Sequence, residues 1–256
     1  MRSTELPRER FRSMKTFLQN FLLVVLILSS SASSFAQEAL WNKLCNEFNL
    51  LYKKGNYSEA AKVTQEALKV AEKTFGPNHP NVGVSLNYMG RVYKAQGKYI
   101  EAEATYKRSL AILEKALGPN NLDVGALLNN LAEVYHERGK YAEAEPLYKR
   151  ALEMWEKALQ PNYHEMAILL TNLATLYRLQ GKYAEAEPLY KRSLAIREKT
   201  LPPNHPDIAK SLNNLAVLYN DQRRYAEAGP LYKNALAIYE KAANPNTNEE
   251  ISTLLN

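Results

Sequence analysis

Few residues in this 256-residue chain could do chemistry, and most of them recur at a fixed interval. Histidines stand at 79, 136, 164 and 205, without the tight spacing of imidazole and thiolate ligands that a zinc site requires. His79 and His205 lie three multiples of a 42-residue interval apart, so repetition explains them better than ligation. Cys45 is the sole thiol, which excludes an internal disulfide framework and reads as a small half-buried residue on the first helix. An intermolecular disulfide is the alternative use for it. The carboxylates also recur with the interval, as a solvated surface would: Glu103 and Lys107, Glu145 and Lys149, and Glu187 and Lys191 form i, i+4 pairs in the favourable order. No glycine-rich phosphate loop after a strand, no nucleophile elbow and no convergent pair of carboxylates stands apart from this pattern. The expectation is a protein without catalytic residues, metal or cofactor.

The interval itself organises the chain. Gly55, Gly97, Gly139 and Gly181 are 42 residues apart, with Arg223 in the fifth place. Tyr57, Tyr99, Tyr141, Tyr183 and Tyr225 keep the same step, as do Ala60, Ala102, Ala144, Ala186 and Ala228. The units run 41–82, 83–124, 125–166, 167–208 and 209–250, followed by residues 251–256 as the start of a sixth. Within the fourth, Leu170, Leu173, Ala174 and Tyr177 form the stripe of a first helix. Gly181 ends that helix in the left-handed conformation, and Ala186, Tyr190, Ser193 and Leu194 form the stripe of a second. Pro188 is expected early in the second helix, where a missing donor costs least. In "LPPNHPDI", Asn204 or His205 is the cap, Pro206 stands near the first helical position and Asp207 favours the helix dipole. One such hairpin cannot bury its apolar face alone, whereas stacked copies can.

The N-terminal segment has a different composition. Arg8, Arg10, Arg12 and Lys15 precede "FLLVVLIL", and Ser34 and Ala36 supply the small residues of a cleavage site. Residues 1–36 are therefore expected to be a signal peptide cut between Ala36 and Gln37, from a start at Met1 or Met14, leaving 37–256 as the mature solenoid, periplasmic or secreted. The apolar run Phe17–Leu28 is shorter than the roughly 20 residues needed to span a bilayer, so no integral membrane segment is expected after removal. Five of the 33 basic and two of the 27 acidic residues lie in that segment, which reduces a formal charge of +6 to +3 over the remainder. So small a surplus gives no basic stripe and argues against nucleic acid as partner.

Leu86, Met89, Gly90, Tyr93, Gly97, Tyr99, Ala102, Tyr106, Ser109 and Leu110 together resemble the tetratricopeptide repeat. The 42-residue period, with "SLNNLAVLY" and "AEAEPLYKRSLAI", is similar to the longer version found in kinesin light chains and many bacterial repeat proteins. The resemblance implies an all-α fold, an α-solenoid of stacked antiparallel helical hairpins forming a right-handed superhelix. It also implies that the first helices line a concave groove that binds a peptide or protein segment.

Groove positions carried over from the family are Asn87, Tyr88, Arg91 and Lys94 in the second unit, and Asn129, Asn130, Glu133 and His136 in the third. Asn172, Thr175 and Arg178 follow in the fourth, and Asn213, Asn214 and Asn220 in the fifth. A row of Asn amides could pair with the backbone of an extended ligand, or could instead bond neighbouring helices and set their stacking. Specificity would fall to Tyr88, Arg91, Lys94, Glu133, His136 and Arg178. In the first unit Glu47 and Phe48 replace the Leu-Gly or Leu-Ala pair, which points to a capping role. Leu113, Trp155, Arg197 and Tyr239 vary at one place in the second helices and read as a tolerant outer face, with Trp155 exposed as a second contact point. Ile251, Leu254 and Leu255 begin a first helix with no second, so residues 249–256 are a candidate for self-association.

Overall fold

The computed structural model describes residues 35–160 and 162–243. The signal-peptide expectation for the most part, and the self-association expectation for residues 249–256, lie outside them. Among the described residues there are ten helices and no strand. Helix α1 covers residues 35–53. It is followed by α2 (Tyr57–Phe75), α3 (Pro80–Ala95), α4 (Tyr99–Leu117), α5 (Leu122–Glu137), α6 (Tyr141–Glu156), α7 (Tyr163–Leu179), α8 (Tyr183–Thr200), α9 (Pro206–Asp221) and α10 (Tyr225–Ala243). Two compact units divide the chain between Val92 and Tyr93, inside α3.

In the unit from Tyr93 onward, α5, α7 and α9 each pair most extensively with the helix that follows, and next with the helix that precedes. Tyr106, Tyr148 and Tyr190 are buried one above another in the sequence period, beside Ala102, Ala144 and Ala186, whose small side chains let the helices approach closely. In the unit up to Val92, Phe48 is fully buried against Ala60 and Val92. Phe48 thus takes the buried place held in later repeats by Gly or Ala.

The turns inside the hairpins are built alike. At Gly181, φ is 74°. Its N–H donates to Arg178 O at 3.0 Å and that of Lys182 to Tyr177 O at 2.8 Å, a paired closure of the helix end that needs the left-handed region. Arg223 adopts φ 61° in the fifth copy and makes the same two bonds, to Asn220 O at 2.9 Å from its own N–H and to Tyr219 O at 2.8 Å from that of Arg224. Between hairpins the cap varies. His205 Nδ1 accepts from Asp207 N at 3.1 Å with Pro206 in the first turn of α9, which decides between the two cap candidates. Asn121 caps α5 and Asn162 caps α7.

Two expectations are corrected. Pro146, Pro188 and Pro230 lie inside α6, α8 and α10, each at the sixth helical residue, beyond the first turn. Each therefore removes an interior hydrogen bond rather than an orphan donor. The place occupied by Leu113, Trp155 and Arg197 is not an outer face: these residues are 2%, 6% and 8% exposed, and only Tyr239, at 39%, meets solvent. Trp155 is buried because α5 carries Gly125 opposite it; a Cβ there would lie 3.3 Å from the indole nitrogen. Arg197 is buried because Asp207 O accepts from its Nη1 at 3.2 Å and Ser211 Oγ at 2.6 Å.

Candidate interaction face

The period of an α-helix puts residues i, i+1, i+4 and i+7 of each first helix on one side. On α5 these are Asn129, Asn130, Glu133 and His136; on α7, Thr171, Asn172, Thr175 and Arg178; on α9, Asn213, Asn214, Val217 and Asn220.

The α5 and α7 sets are joined. Glu133 is the centre: Lys94 donates to its Oε2, Asn129 Nδ2 to its Oε1 at 2.8 Å, and Asn172 Nδ2 to the same Oε1 at 2.9 Å. Asn172 Nδ2 also lies 3.1 Å from Asn129 Oδ1. The carboxylate, three quarters buried, is thus matched by one cation and two amides, which offsets its desolvation. Asn129 is 8% exposed and Asn172 half-buried, so both amides are engaged in stacking one repeat on the next. Asn87, Tyr88 and Asn130, all half-buried, have contacts of their own as well.

Thr175 Oγ1 donates to Thr171 O and shares a 2.8 Å hydrogen bond with Tyr190 OH, which ties α7 to its second helix. Arg178 Nη1 donates to Asp221 Oδ2 at 2.6 Å and so links α7 to α9. His136 stands edge-on to Tyr141 at 5.7 Å, and desolvation lowers its pKa, so the imidazole is neutral at pH 7. The α9 set differs. Asn213 and Asn220 are exposed and Asn214 half-exposed, and their side-chain amides make no hydrogen bond among the described residues. Arg91, in the unit that ends at Val92, packs on aromatic rings: its guanidinium carbon is 4.4 Å from the centroid of Tyr52, 5.2 Å from that of Phe48 and 6.0 Å from that of Tyr88.

The side of the molecule formed by the second helices carries a device the sequence did not reveal. Glu187 pairs with Lys191 at 2.7 Å as its i, i+4 spacing dictates, and it also accepts from Tyr219 OH at 3.0 Å and Arg224 Nη1 at 2.7 Å in the next repeat. Glu145 meets Lys149, Tyr177 and Lys182 in the same way, and Glu103 meets Lys107, Tyr135 and Arg138. These carboxylates are 15–21% exposed, so they belong to inter-repeat clasps rather than to a freely solvated face. The signal was present as a Tyr recurring 32 residues after each Glu.

No group of three His, Cys, Asp or Glu that could hold a metal occurs among the described residues, and no helix among them is long and apolar enough to cross a membrane.

The tetratricopeptide repeat pattern matches residues 49–115, 123–199 and 208–249. The chain belongs to that family. Its fold is similar to that of a Podosopora anserina protein described as a kinesin light chain with nearly identical TPR-like repeats: 26% identity over 79% of this chain and 96% of the other, with a TM-score of 0.65. BtubC (BKLC) from P. vanneervenii covers 94% of both chains at 21% identity and TM-score 0.72. PilF of Pseudomonas aeruginosa covers 79% and 78% at 21% identity and TM-score 0.58. No curated protein matches the chain. The family's fold generally mediates protein–protein interaction, and its members are typically non-enzymatic scaffolds.

Proposed function

We propose that this tetratricopeptide protein is a non-enzymatic scaffold that binds an extended peptide or protein segment along its first-helix face, acting outside the cytoplasm after removal of residues 1–36. The reading rests on the three α9 amides. Asn213, Asn214 and Asn220 offer donors and acceptors on one side of a helix and have no hydrogen-bond partner among the described residues, while Asn129 and Asn172 hold the neighbouring helices in register. The two groups predict different phenotypes. Replacing Asn213, Asn214 and Asn220 together by Ala lowers capture of envelope proteins, measured by affinity purification and mass spectrometry, with the melting temperature unchanged. Replacing Asn129 and Asn172 by Ala lowers the melting temperature. Equal capture by wild type and the α9 variant overturns the reading.

A second reading, assembly through the terminal repeat, is favoured by one observation: Tyr232, Leu236 and Tyr239 of α10 are exposed at 36%, 57% and 39% and share one helix face. Sedimentation of wild type, of Leu236→Asp/Tyr239→Asp and of a chain lacking residues 249–256 tests it. A monomer in all three over the accessible concentration range ends that reading.

A further inference from the structure

The three inter-repeat clasps are not equivalent. In the second and third, the residue that follows the turn glycine or its replacement reaches back to the carboxylate: Lys182 Nζ donates to Glu145 Oε2 at 3.3 Å, and Arg224 Nη1 to Glu187 Oε2 at 2.7 Å. In the first clasp Arg138 takes Glu103 Oε2 instead, from the place that Gln180 and Gln222 hold in the later repeats. Lys140, the counterpart of Lys182 and Arg224, is thereby left without a carboxylate at ion-pair distance among the described residues. Its ammonium lies 5.7 Å from the centroid of Tyr135, and that of Lys107 lies 5.6 Å from the same ring. These three cations border one recess of about 360 Å³, together with Ile100, Ala104 and Glu103. Glu103 is its sole acidic lining residue, so three cations less one carboxylate leave a local charge of +2. Ile100 is 69% exposed and stands where the later repeats have Ala142, Ala184 and Ala226, which gives this recess an apolar edge of its own.

We propose that this recess binds a phosphate monoester carrying a small apolar substituent, as a ligand separate from the segment on the first-helix face. The charge selects the group: a phosphate monoester approaches two negative charges at neutral pH, whereas a carboxylate would match only half of the surplus. Arg138 spends Nη1 on Glu103 and keeps further N–H donors in its fork, and Lys140 spends none on a carboxylate. The volume stands at the lower end of small-molecule sites and exceeds what the phosphoryl group needs, so the substituent lies on Ile100 and Ala104. A polyanion with regularly spaced phosphates would need the surplus in every repeat, and Gln180 and Gln222 end it.

The test is calorimetric titration of the full chain at about pH 8, above the second phosphate ionisation at about pH 6. Phenyl phosphate is expected to saturate one site and to bind at least about tenfold more tightly than benzoate, as the second charge implies. Lys140→Gln, which breaks no ion pair, and Arg138→Gln, which installs the residue of the later repeats, are each expected to weaken it at least about fivefold. Ile100→Ala is expected to weaken phenyl phosphate and to leave inorganic phosphate unchanged. Thermal melts establish that the variants are folded. A soluble ester and a lipid headgroup present the same group, and sedimentation with phosphatidate vesicles separates them: binding that Lys140→Gln abolishes assigns the lipid, and phenyl phosphate binding without vesicle binding assigns the soluble ester. Absence of saturable phenyl phosphate binding, equal affinity for benzoate, or full affinity in both Lys140→Gln and Arg138→Gln overturns the site.

Discussion

Arg197 and Trp155 fill the same place in successive hairpins, and burial acts on them in opposite senses. The indole removes a large apolar surface from water and fits the space left by Gly125. Trp155→Ala should therefore cost about 3–5 kcal/mol, through lost transfer energy and the cavity left behind; chemical denaturation followed by circular dichroism measures it. The guanidinium of Arg197 is desolvated, which lowers its pKa, and it holds only a carbonyl and a hydroxyl at close range, without a contacting carboxylate. A buried cation so partnered is replaceable at a gain. Arg197→Leu, the residue type found at position 113, should stabilise the protein by about 1 kcal/mol or more in the same assay, since Ser211 keeps its own bond to Asp207 O. The variable place in the repeat reads as tolerant surface because variation and exposure usually accompany one another. Here exposure is set by what stands opposite, Gly125 for Trp155 and the Asp207 carbonyl and Ser211 hydroxyl for Arg197.

At the scale of elements, the hairpins were legible because the apolar stripes change phase at each turn and the turn residue is a glycine. Helix α9 shows what happens when that residue is missing. Arg223 keeps the paired closure bonds but holds φ 61°, where its Cβ crowds the backbone. The left-handed region costs a side-chain-bearing residue roughly 1–2 kcal/mol, and glycine returns part of that as unfolded-state entropy. Arg223→Gly is accordingly expected to stabilise the chain by about 0.5–1 kcal/mol, read as a rise in melting temperature. The prolines were harder to place. A 42-residue period does not say where a helix begins, and a shift of three residues separates a harmless Pro188 from one that removes an interior bond, because the fourth helical residue, Ala186, already donates its N–H to Lys182 O. The Asn row was legible as a row, but whether an amide faces a ligand or a neighbouring helix depends on what stands opposite. Glu133 engages Asn129 and Asn172, while Thr175, one repeat later, turns to Tyr190.

Across the whole molecule, the repeated phrase "AEAEPLYKR" carries the clasps that bind one hairpin to the next, so its near-identity has a mechanical cause. Each clasp needs an ionised carboxylate, which makes stacking pH-dependent. Arg224 above all, with Lys191 and Tyr219 and against the opposing effect of burial, holds the Glu187 carboxyl down to about 2 from its usual 4.5. Lys149 first, then Lys182 and Tyr177, lower Glu145 against burial; at Glu103 burial opposes the shift, yet Lys107, Arg138 and Lys140 still bring it below the usual value. A carboxyl whose folded pKa is depressed contributes stability that is complete above the unfolded value and is lost as the pH falls through the folded one. Melting temperature should thus decline first below pH 6.5, where the desolvated His136 resists protonation, and then more steeply between pH 4.5 and 2 as the clasps protonate. Glu187→Gln should cost about 1–2 kcal/mol at neutral pH, as a charge-assisted bond to a partly exposed group implies, and should flatten the acid limb without moving the His136 limb. Because a solenoid's stability is a sum of repeat and interface contributions, loss of one clasp should also broaden the unfolding transition, separating α9 and α10 from the repeats before them. A melting temperature that stays constant from pH 5 to pH 2, or an acid limb equally steep in Glu187→Gln, would show that the hairpins are held by apolar packing alone.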